Sequence, residues 1–428
     1  VIHFFYNLIW IFATPIALMR LFWLARKDKG YLKDIAQRFG IFGVTPDNFV
    51  IWLHVVSVGE TRAAESLVSI LRQQNPDCRI LLTQMTAAGR ATAEATYGRD
   101  VSLAWLPWDL PWAQRRFLRA WRPAIGIIFE TEMWPNLLAE CERAGIPMVL
   151  ANARLSERSA RRYARVPTLT RRMLHRFGVI AAQTDADAGR LRALGSERVV
   201  VTGNLKFDNQ PPAALVELGR QWRLQIGPRK VVLCASTRDG EEALLLPALL
   251  AHLTSDTLIV LVPRHPQRFD DVAALLADQG LTVRRRSADG VPDASVQIWL
   301  GDSMGEMFAW YALADVAIIG GSWLPLGGQN LIEACAAGCP VIVGPHTFNF
   351  AQATEDALAA GAALRAADAA EAADRAAALL MDDTRRTRMS VAGLAFAQAH
   401  RGATARSMAL IEPLIERRLA EAAHSNRR

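Results

Sequence analysis

Between positions 316 and 346 the chain reads as an apolar run, a glycine turn, a second glycine pair, an amphipathic stretch and another apolar run. Few folds accommodate that order. Val316-Ala317-Ile318-Ile319 leads into Gly320-Gly321-Ser322; Pro325-Leu326-Gly327-Gly328-Gln329-Asn330-Leu331-Ile332-Glu333 follows, and then Pro340-Val341-Ile342-Val343-Gly344-Pro345-His346. The first glycines stand where a buried strand ends, and the second pair opens a helix carrying Glu333 near its start. Glycine lets a backbone approach an anion, and the first turn of a helix offers N–H groups without intrahelical partners. A strand, glycine loop, helix and strand in this order predict a phosphate site, with Glu333 about one turn in and placed to accept hydrogen bonds from a ribose diol. Taken more plainly, the segment is a glycine-rich turn between strand and helix. The number of coinciding glycines favours a nucleotide-sugar site.

The same alternation runs through the rest of the chain. Strands are expected at residues 50–56, 80–83, 102–106, 125–129, 148–151 and 179–183, with amphipathic helices between them, which describes a doubly wound α/β domain. A second round follows, with strands at 230–235, 258–262 and 296–300 and helices at 241–253, 269–279 and 303–313. At 428 residues the chain exceeds one core of ordinary size. The organisation expected is an N-terminal segment 1–40, a Rossmann-like domain 41–208, a linker 209–228 containing Pro211-Pro212, and a Rossmann-like domain 229–428. An Ala-rich helical stretch is expected at 351–382. Two such domains with a cleft between them would set both rows of strand C-termini face to face, the architecture called GT-B among glycosyltransferases.

Residues 1–25 are apolar or aromatic apart from His3, Asn7, Thr14 and Arg20, and the basic stretch Arg26, Lys27, Lys29, Lys33, Arg38 comes after them. A secretory signal carries its positive charge before the apolar run, so this segment reads as an anchor. Residues 8–19, the uninterrupted part, are short for a spanning helix; a spanning anchor and an interfacial helix both fit, and so does a core helix of the first domain. As an anchor of either kind, its positive flank puts the remainder on the cytoplasmic side. The net charge of +7 is concentrated: residues 154–176 hold eight arginines against one acid, Glu157, and Arg115, Arg116, Arg119 and Arg122 form another group. Such groups suit a nucleic acid, an anionic membrane or a phosphorylated substrate, or are simply solvated helix faces. The five cysteines are odd in number and lack C-x-x-C spacing, so they read as core residues of a reduced compartment. The histidines show no H-x-x-x-H pair and no D-x-D stands beside the glycine loops, which leaves metal binding unsupported.

Several motifs fall at successive strand ends. His54-Val55-Val56-Ser57-Val58-Gly59-Glu60-Thr61 turns the first strand into the first helix, where a carboxylate at Glu60 can take the proton of an attacking hydroxyl or merely cap the helix. Phe129-Glu130-Thr131-Glu132-Met133-Trp134-Pro135-Asn136 sets two acids after a buried strand. Asn152-Ala153-Arg154-Leu155-Ser156 opens the arginine-rich region. Gly203-Asn204-Leu205-Lys206 closes the first domain, where Lys206 can reach an anion. In the second domain Ser236-Thr237-Arg238-Asp239-Gly240-Glu241-Glu242 opens a helix, Pro263-Arg264-His265-Pro266 offers a guanidinium fork and an imidazole, and Asp302-Ser303-Met304-Gly305-Glu306 precedes the glycine loop.

Together these blocks, with Gly344-Pro345-His346-Thr347, resemble the Kdo (3-deoxy-D-manno-octulosonic acid) transferases of lipopolysaccharide synthesis, over most of the chain. The resemblance implies a GT-B enzyme at the inner membrane with its catalytic domains facing the cytoplasm. It implies CMP-Kdo as donor, a lipid A precursor as acceptor, inversion at the anomeric centre, and no cofactor or metal. Carried onto this chain, it makes Glu60 the general base and puts Ser57, Gly59, Glu130, Glu132 and Arg154 on the acceptor and sugar side. Lys206, Ser236, Thr237, Arg264, His265, Gly305, Glu306, Gly327, Gly328, Gln329, Asn330 and Glu333 fall on the donor side. One position departs from the family pattern: Gln329 stands where the family usually carries His, and a neutral amide there can hydrogen-bond but carries no charge. The basic segments would then meet anionic lipid and the acceptor's phosphates, and not nucleic acid. A GT-B sugar-nucleotide 2-epimerase would share the glycine loop but needs no anchor. A membrane-anchored protein that only binds anionic lipid would leave Glu60, Glu130 and Glu132 without a task.

Overall fold

The computed structural model describes residues 2–425 except positions 27, 44, 45, 47 and 289. Lys27 of the basic flank and residues 426–428 therefore lie outside the described residues. The chain divides into two compact units, residues 1–209 together with 401–428, and residues 210–400.

The first unit is built on β1 (Val50–His54), β2 (Arg79–Gln84), β3 (Ser102–Trp105), β4 (Pro123–Phe129), β5 (Met148–Ala153), β6 (Phe177–Ala182) and β7 (Val199–Val201). All pair in parallel, in the order β3-β2-β1-β4-β5-β6-β7. A parallel sheet is covered on both faces, and β1, β4 and β5 are accordingly buried at every position. The second unit repeats the plan with β8 (Val231–Thr237), β9 (Leu258–Pro263), β10 (Val283–Arg285), β11 (Ile298–Leu300), β12 (Val316–Ile319), β13 (Val341–Val343) and β14 (Ala363–Arg365). Their order is β10-β11-β9-β8-β12-β13-β14, again parallel throughout. In each sheet the chain winds outward first one way and then the other. The reversal falls between β1 and β4 in the first unit and between β8 and β12 in the second. Open α/β sheets bind ligands outside the strand C-termini at that crevice.

Three boundaries differ from the sequence expectation. The segment 209–228, read as a linker, contains the helix Ala213–Ile226. This helix belongs to the second unit: a Cβ at Gly219 would sit 2.2 Å from Ala309 O. Trp222 also joins Trp299 and Trp310, with ring centroids 5.1 and 4.5 Å away. The stretch 351–382 is not one helix but Ala351–Ala359, then β14, then Ala369–Met381. The last helix, Ala403–Ser425, was assigned with the second domain yet packs in the first unit. Met408, Ile411 and Ile415 join the core around Ile51, Leu53 and Ile127, and Arg406 Nε donates to Thr202 O at 2.8 Å. An amphipathic pattern states that a helix covers a sheet, not which of two similar sheets it covers.

The N-terminal helix Ile2–Ala25 also belongs to the first unit. Its shielded positions, among them Tyr6, Asn7, Trp10, Thr14, Ala17, Leu21 and Ala25, recur every three or four residues and form one stripe. Leu21 packs with Trp108, Leu110 and Ala113, and Trp10, Ala17 and Leu18 flank that group. The opposite face is apolar and bare, with Phe12, Ile16 and Met19 each about two-thirds exposed (69%, 64% and 64%). Within it, Tyr6–Ala25 is long and apolar enough to cross a membrane.

Candidate active site

Glu60 lies in the first turn of the helix Val58–Ala63, directly after β1. Ser57 caps that helix, and the contact is reciprocal. Its hydroxyl accepts from Glu60 N at 3.3 Å and donates to Glu60 Oε1 at 2.9 Å, while Val56 N donates to Oε2 at 2.9 Å. The capping expectation is therefore correct as geometry. The electrostatics go further than a cap requires. Burial, and next the negative charge of Glu130, push the Glu60 carboxyl up to about 7, with Glu132 adding to the shift and the two hydrogen bonds opposing it. A carboxylate tuned to that range is matched to proton transfer near neutral pH. Gly59 is exposed, and a Cβ there would meet nothing nearer than Ser57 Oγ at 3.9 Å, so the surface beside Glu60 is bare.

Glu130 and Glu132 follow β4, the strand beside β1 at the reversal point. Glu130 has φ 54°, a left-handed backbone that non-glycine residues adopt at a cost. Asn152 at the end of β5 shares it, with φ 51°. Strained residues at adjacent strand ends are a mark of functional sites. Asn152 Oδ1 accepts from Leu205 N at 3.1 Å, which holds the turn carrying Lys206, and Lys206 Nζ lies 3.3 Å from Glu130 Oε1. Lys206, expected among donor contacts, thus pairs with an acid of the first unit. Glu132 is anchored differently. Trp134 Nε1 donates to its Oε2 at 3.1 Å, and burial followed by Glu130 raises its carboxyl against that bond. Arg154 is half-buried just past β5. His54, which opens the first motif, is a core residue: burial lowers its imidazole to about 3, and Nδ1 lies 2.9 Å from Thr83 Oγ1.

In the second unit the reversal point brings the ends of β8 and β12 together. Gly320 is required there, because a Cβ would stand 2.5 Å from Ser236 O. Glu241, fully buried, accepts Gly321 N at 2.6 Å, Trp323 N at 3.0 Å and Arg238 N at 2.8 Å. Gly328 N and Gln329 N are bonded to Gly321 O and Gly320 O at 2.6 and 3.0 Å. The N–H groups of Gly321, Trp323, Gly328 and Gln329 are thus spent on holding the loop. The helix expected after Gly328 is the five-residue turn Ile332–Ala336, and Ile332 N is bonded to Asn330 Oδ1 at 3.1 Å. Asn330 Nδ2 donates to Glu333 Oε1 at 3.0 Å, so these two do stand together. Gly327 and Gly328 have φ 93° and 79°, and Gly327 is packed against Asn349.

Positive charge comes instead from the ends of β8 and β9. His265 is lowered by burial and then by Arg238, Arg264 and Arg268 around it. Arg268 is held by Glu242 through 2.9 and 2.7 Å bonds, and Thr237 Oγ1 donates to the same acid at 2.6 Å. Ser236, at φ 57°, is a third strained strand end. Thr237 is buried as a support, and Glu306 is engaged by Arg286 at 2.8 Å and by the Ser303 hydroxyl, beside Gly305 at φ 88°. Three residues to which the sequence reading gave no role therefore matter here: Glu241 and Glu242 as supports, and Arg238 as a charge. Their signal was an acidic pair right after a strand end, too far in sequence from the glycine turn to be linked to it. Among the described residues no group of three His, Cys, Asp or Glu side chains forms a metal site.

Two doubly wound sheets, with acids at one reversal point and a glycine loop with arginines at the other, define a GT-B glycosyltransferase. HepE from Anabaena, solved in complex with UDP, has this fold (TM-score 0.59, 15% identity, covering 86% of this chain and all of that one, 100%). The family model described as 3-Deoxy-D-manno-octulosonic-acid transferase (kdotransferase) matches residues 33–209. The 3-deoxy-D-manno-octulosonic acid transferase of Bordetella pertussis is 47% identical over 415 residues, 92% of this chain and 96% of that one. That of Haemophilus influenzae is 37% identical over 423 residues, 97% and 99% of the two chains. The chain belongs to the Kdo transferase family. That membership sets aside the epimerase and the purely lipid-binding alternatives.

Proposed function

We propose that this enzyme moves Kdo from CMP-Kdo to a sugar hydroxyl of a lipid A precursor, with inversion and without a metal, using Glu60 as general base. The observation that carries the assignment is the Glu60 carboxyl itself, capped in place, buried, and pushed up to about 7 by burial and by Glu130. The acceptor oxygen attacks the anomeric carbon on the face opposite the phosphate, its proton passes to Glu60, and the bond to CMP breaks with the electron pair leaving on phosphate. Negative charge grows on that phosphate, and preorganised cations lower the barrier for its departure. Arg238 and Arg264 supply that role in the second unit, with His265, whose cationic form burial and the arginines around it disfavour, offering a hydrogen bond; the Glu241-held loop and the Asn330–Glu333 pair hold the nucleotide. Glu130 and Glu132, with Ser57, Gly59 and Arg154, hold the acceptor sugar, and Lys206 balances Glu130.

The N-terminal helix attaches the enzyme to the cytoplasmic leaflet of the inner membrane. A helix that touches its own domain from Tyr6 to Ala25 fits an interfacial position, with Phe12, Ile16 and Met19 entering lipid. Exposed arginines at 158, 161, 162, 165, 171 and 172 supply attraction to anionic lipid. The reading is tested by incubating the purified protein with CMP-Kdo and a lipid A precursor and weighing the product. One added Kdo mass or more is expected, unchanged in excess EDTA. Loss of transfer in EDTA with rescue by magnesium would contradict it.

A further inference from the structure

The shielded stripe of the N-terminal helix runs up to the acids of the first unit. Trp10 packs against Trp134, ring centroids 6.3 Å apart and tilted by 54°. Trp134 in turn donates to Glu132. One turn earlier, Tyr6 donates its hydroxyl to Asp109 Oδ2 at 2.9 Å, and Asn7 Oδ1 accepts from Asn136 Nδ2 at 2.7 Å. Asp109, 2% exposed, also receives the backbone N–H groups of Asn136 and Leu137 at 3.0 and 2.8 Å. Those bonds fix the start of the helix Pro135–Arg143, immediately after Trp134. Two chains of contact therefore lead from adjacent turns of the N-terminal helix to the residue that holds Glu132. An anchor alone needs an apolar face; a half-buried hydroxyl and amide on the other face cost free energy unless each finds a partner. Here both do, and the partners lie beside the acids.

We propose that the N-terminal helix is a working part of the acceptor site: Trp10 through Trp134, and Tyr6 through Asp109, hold the Glu132 carboxylate in the orientation that grips the acceptor sugar. This rests on the acceptor role given to Glu132 above. Trp10 and Tyr6 are positioning residues, since each acts through another side chain.

The test uses the full chain in detergent micelles, with KM measured separately for CMP-Kdo and for the lipid A precursor. Trp10→Ala is expected to raise the acceptor KM by about five- to ten-fold, the scale of one lost aromatic pair, and to leave the CMP-Kdo KM unchanged. Trp10→Phe restores most of the loss, and Tyr6→Phe, which deletes one oxygen, raises the acceptor KM by about two- to five-fold. Trp134→Phe keeps a ring but removes the N–H that holds Glu132, and is expected to raise the acceptor KM by about two- to five-fold with the CMP-Kdo KM unchanged. A general loss of stability would not separate the two KM values or be rescued by Trp10→Phe. Leu224→Ala, 82% exposed in the second unit, keeps the wild-type acceptor KM. A wild-type acceptor KM in both Trp10→Ala and Tyr6→Phe would overturn the proposal. Glu132→Gln separates the two layers: no change in its acceptor KM removes the acceptor role and this proposal with it. A raised KM there beside wild-type behaviour in Trp10→Ala removes the coupling alone.

Discussion

Glu60, buried beside Glu130, weakens the fold near neutral pH. Its carboxyl titrates near 4.5 in an unfolded chain and near 7 in place. The folded state therefore binds the proton more tightly, and the stability this contributes is full below the unfolded value and lost as pH rises through the folded one. Glu60→Gln is neutral throughout. Equilibrium unfolding should find it more stable than wild type by roughly 1–3 kcal/mol at pH 8 and about equal at pH 4. Glu130→Gln removes the largest charge acting on Glu60 and leaves Lys206 without that counter-charge. Both changes favour the Glu60 anion, so the acidic limb of kcat/KM should move to lower pH; a limb that stays or rises would place the titrating group elsewhere. The strained backbones at Glu130, Asn152 and Ser236 belong to the same trade of stability for geometry.

Among the elements, the glycine loop of the second unit depends on one buried acid. Glu241→Gln leaves a single acceptor oxygen where three backbone N–H groups now end. The second unit should lose about 1–3 kcal/mol, and titration calorimetry with CMP should show weaker binding while the acceptor KM stays. Unchanged CMP affinity would separate this loop from the nucleotide. Much of the element order was legible because the central strands are buried on both faces and spell continuous apolar runs. The strands that escaped were β7, β10 and β14, each three residues long, at a sheet edge and only partly buried. Their sequences lack the apolar signal because their surroundings do not demand it. The positions of Glu60, Glu130 and Glu132 at strand ends were legible because they follow apolar runs, and the Asn330–Glu333 pair was legible from the glycine turn before it. The fate of the loop N–H groups was not, since Glu241 reaches Gly321 across 80 positions of sequence.

At the scale of the molecule, one plan is used twice. Each unit has seven parallel strands and a reversal point, with acids beside it in the first and a glycine loop and arginines beside it in the second. The closing helix belongs to the first unit's core, where Ile411 and Ile415 are 0% and 1% exposed. Ile411→Ala should cost about 2–5 kcal/mol, and hydrogen exchange should show protection lost in β1, β4 and β6 but kept in β8 and β12. Loss spread evenly over both sheets would contradict that division. The most direct measurement of the central claim is the rate of Kdo transfer by Glu60→Ala, with CMP binding measured on the same sample. A fall of about a hundred- to ten-thousand-fold with binding retained is the predicted result; turnover near wild type would contradict the assignment of the base.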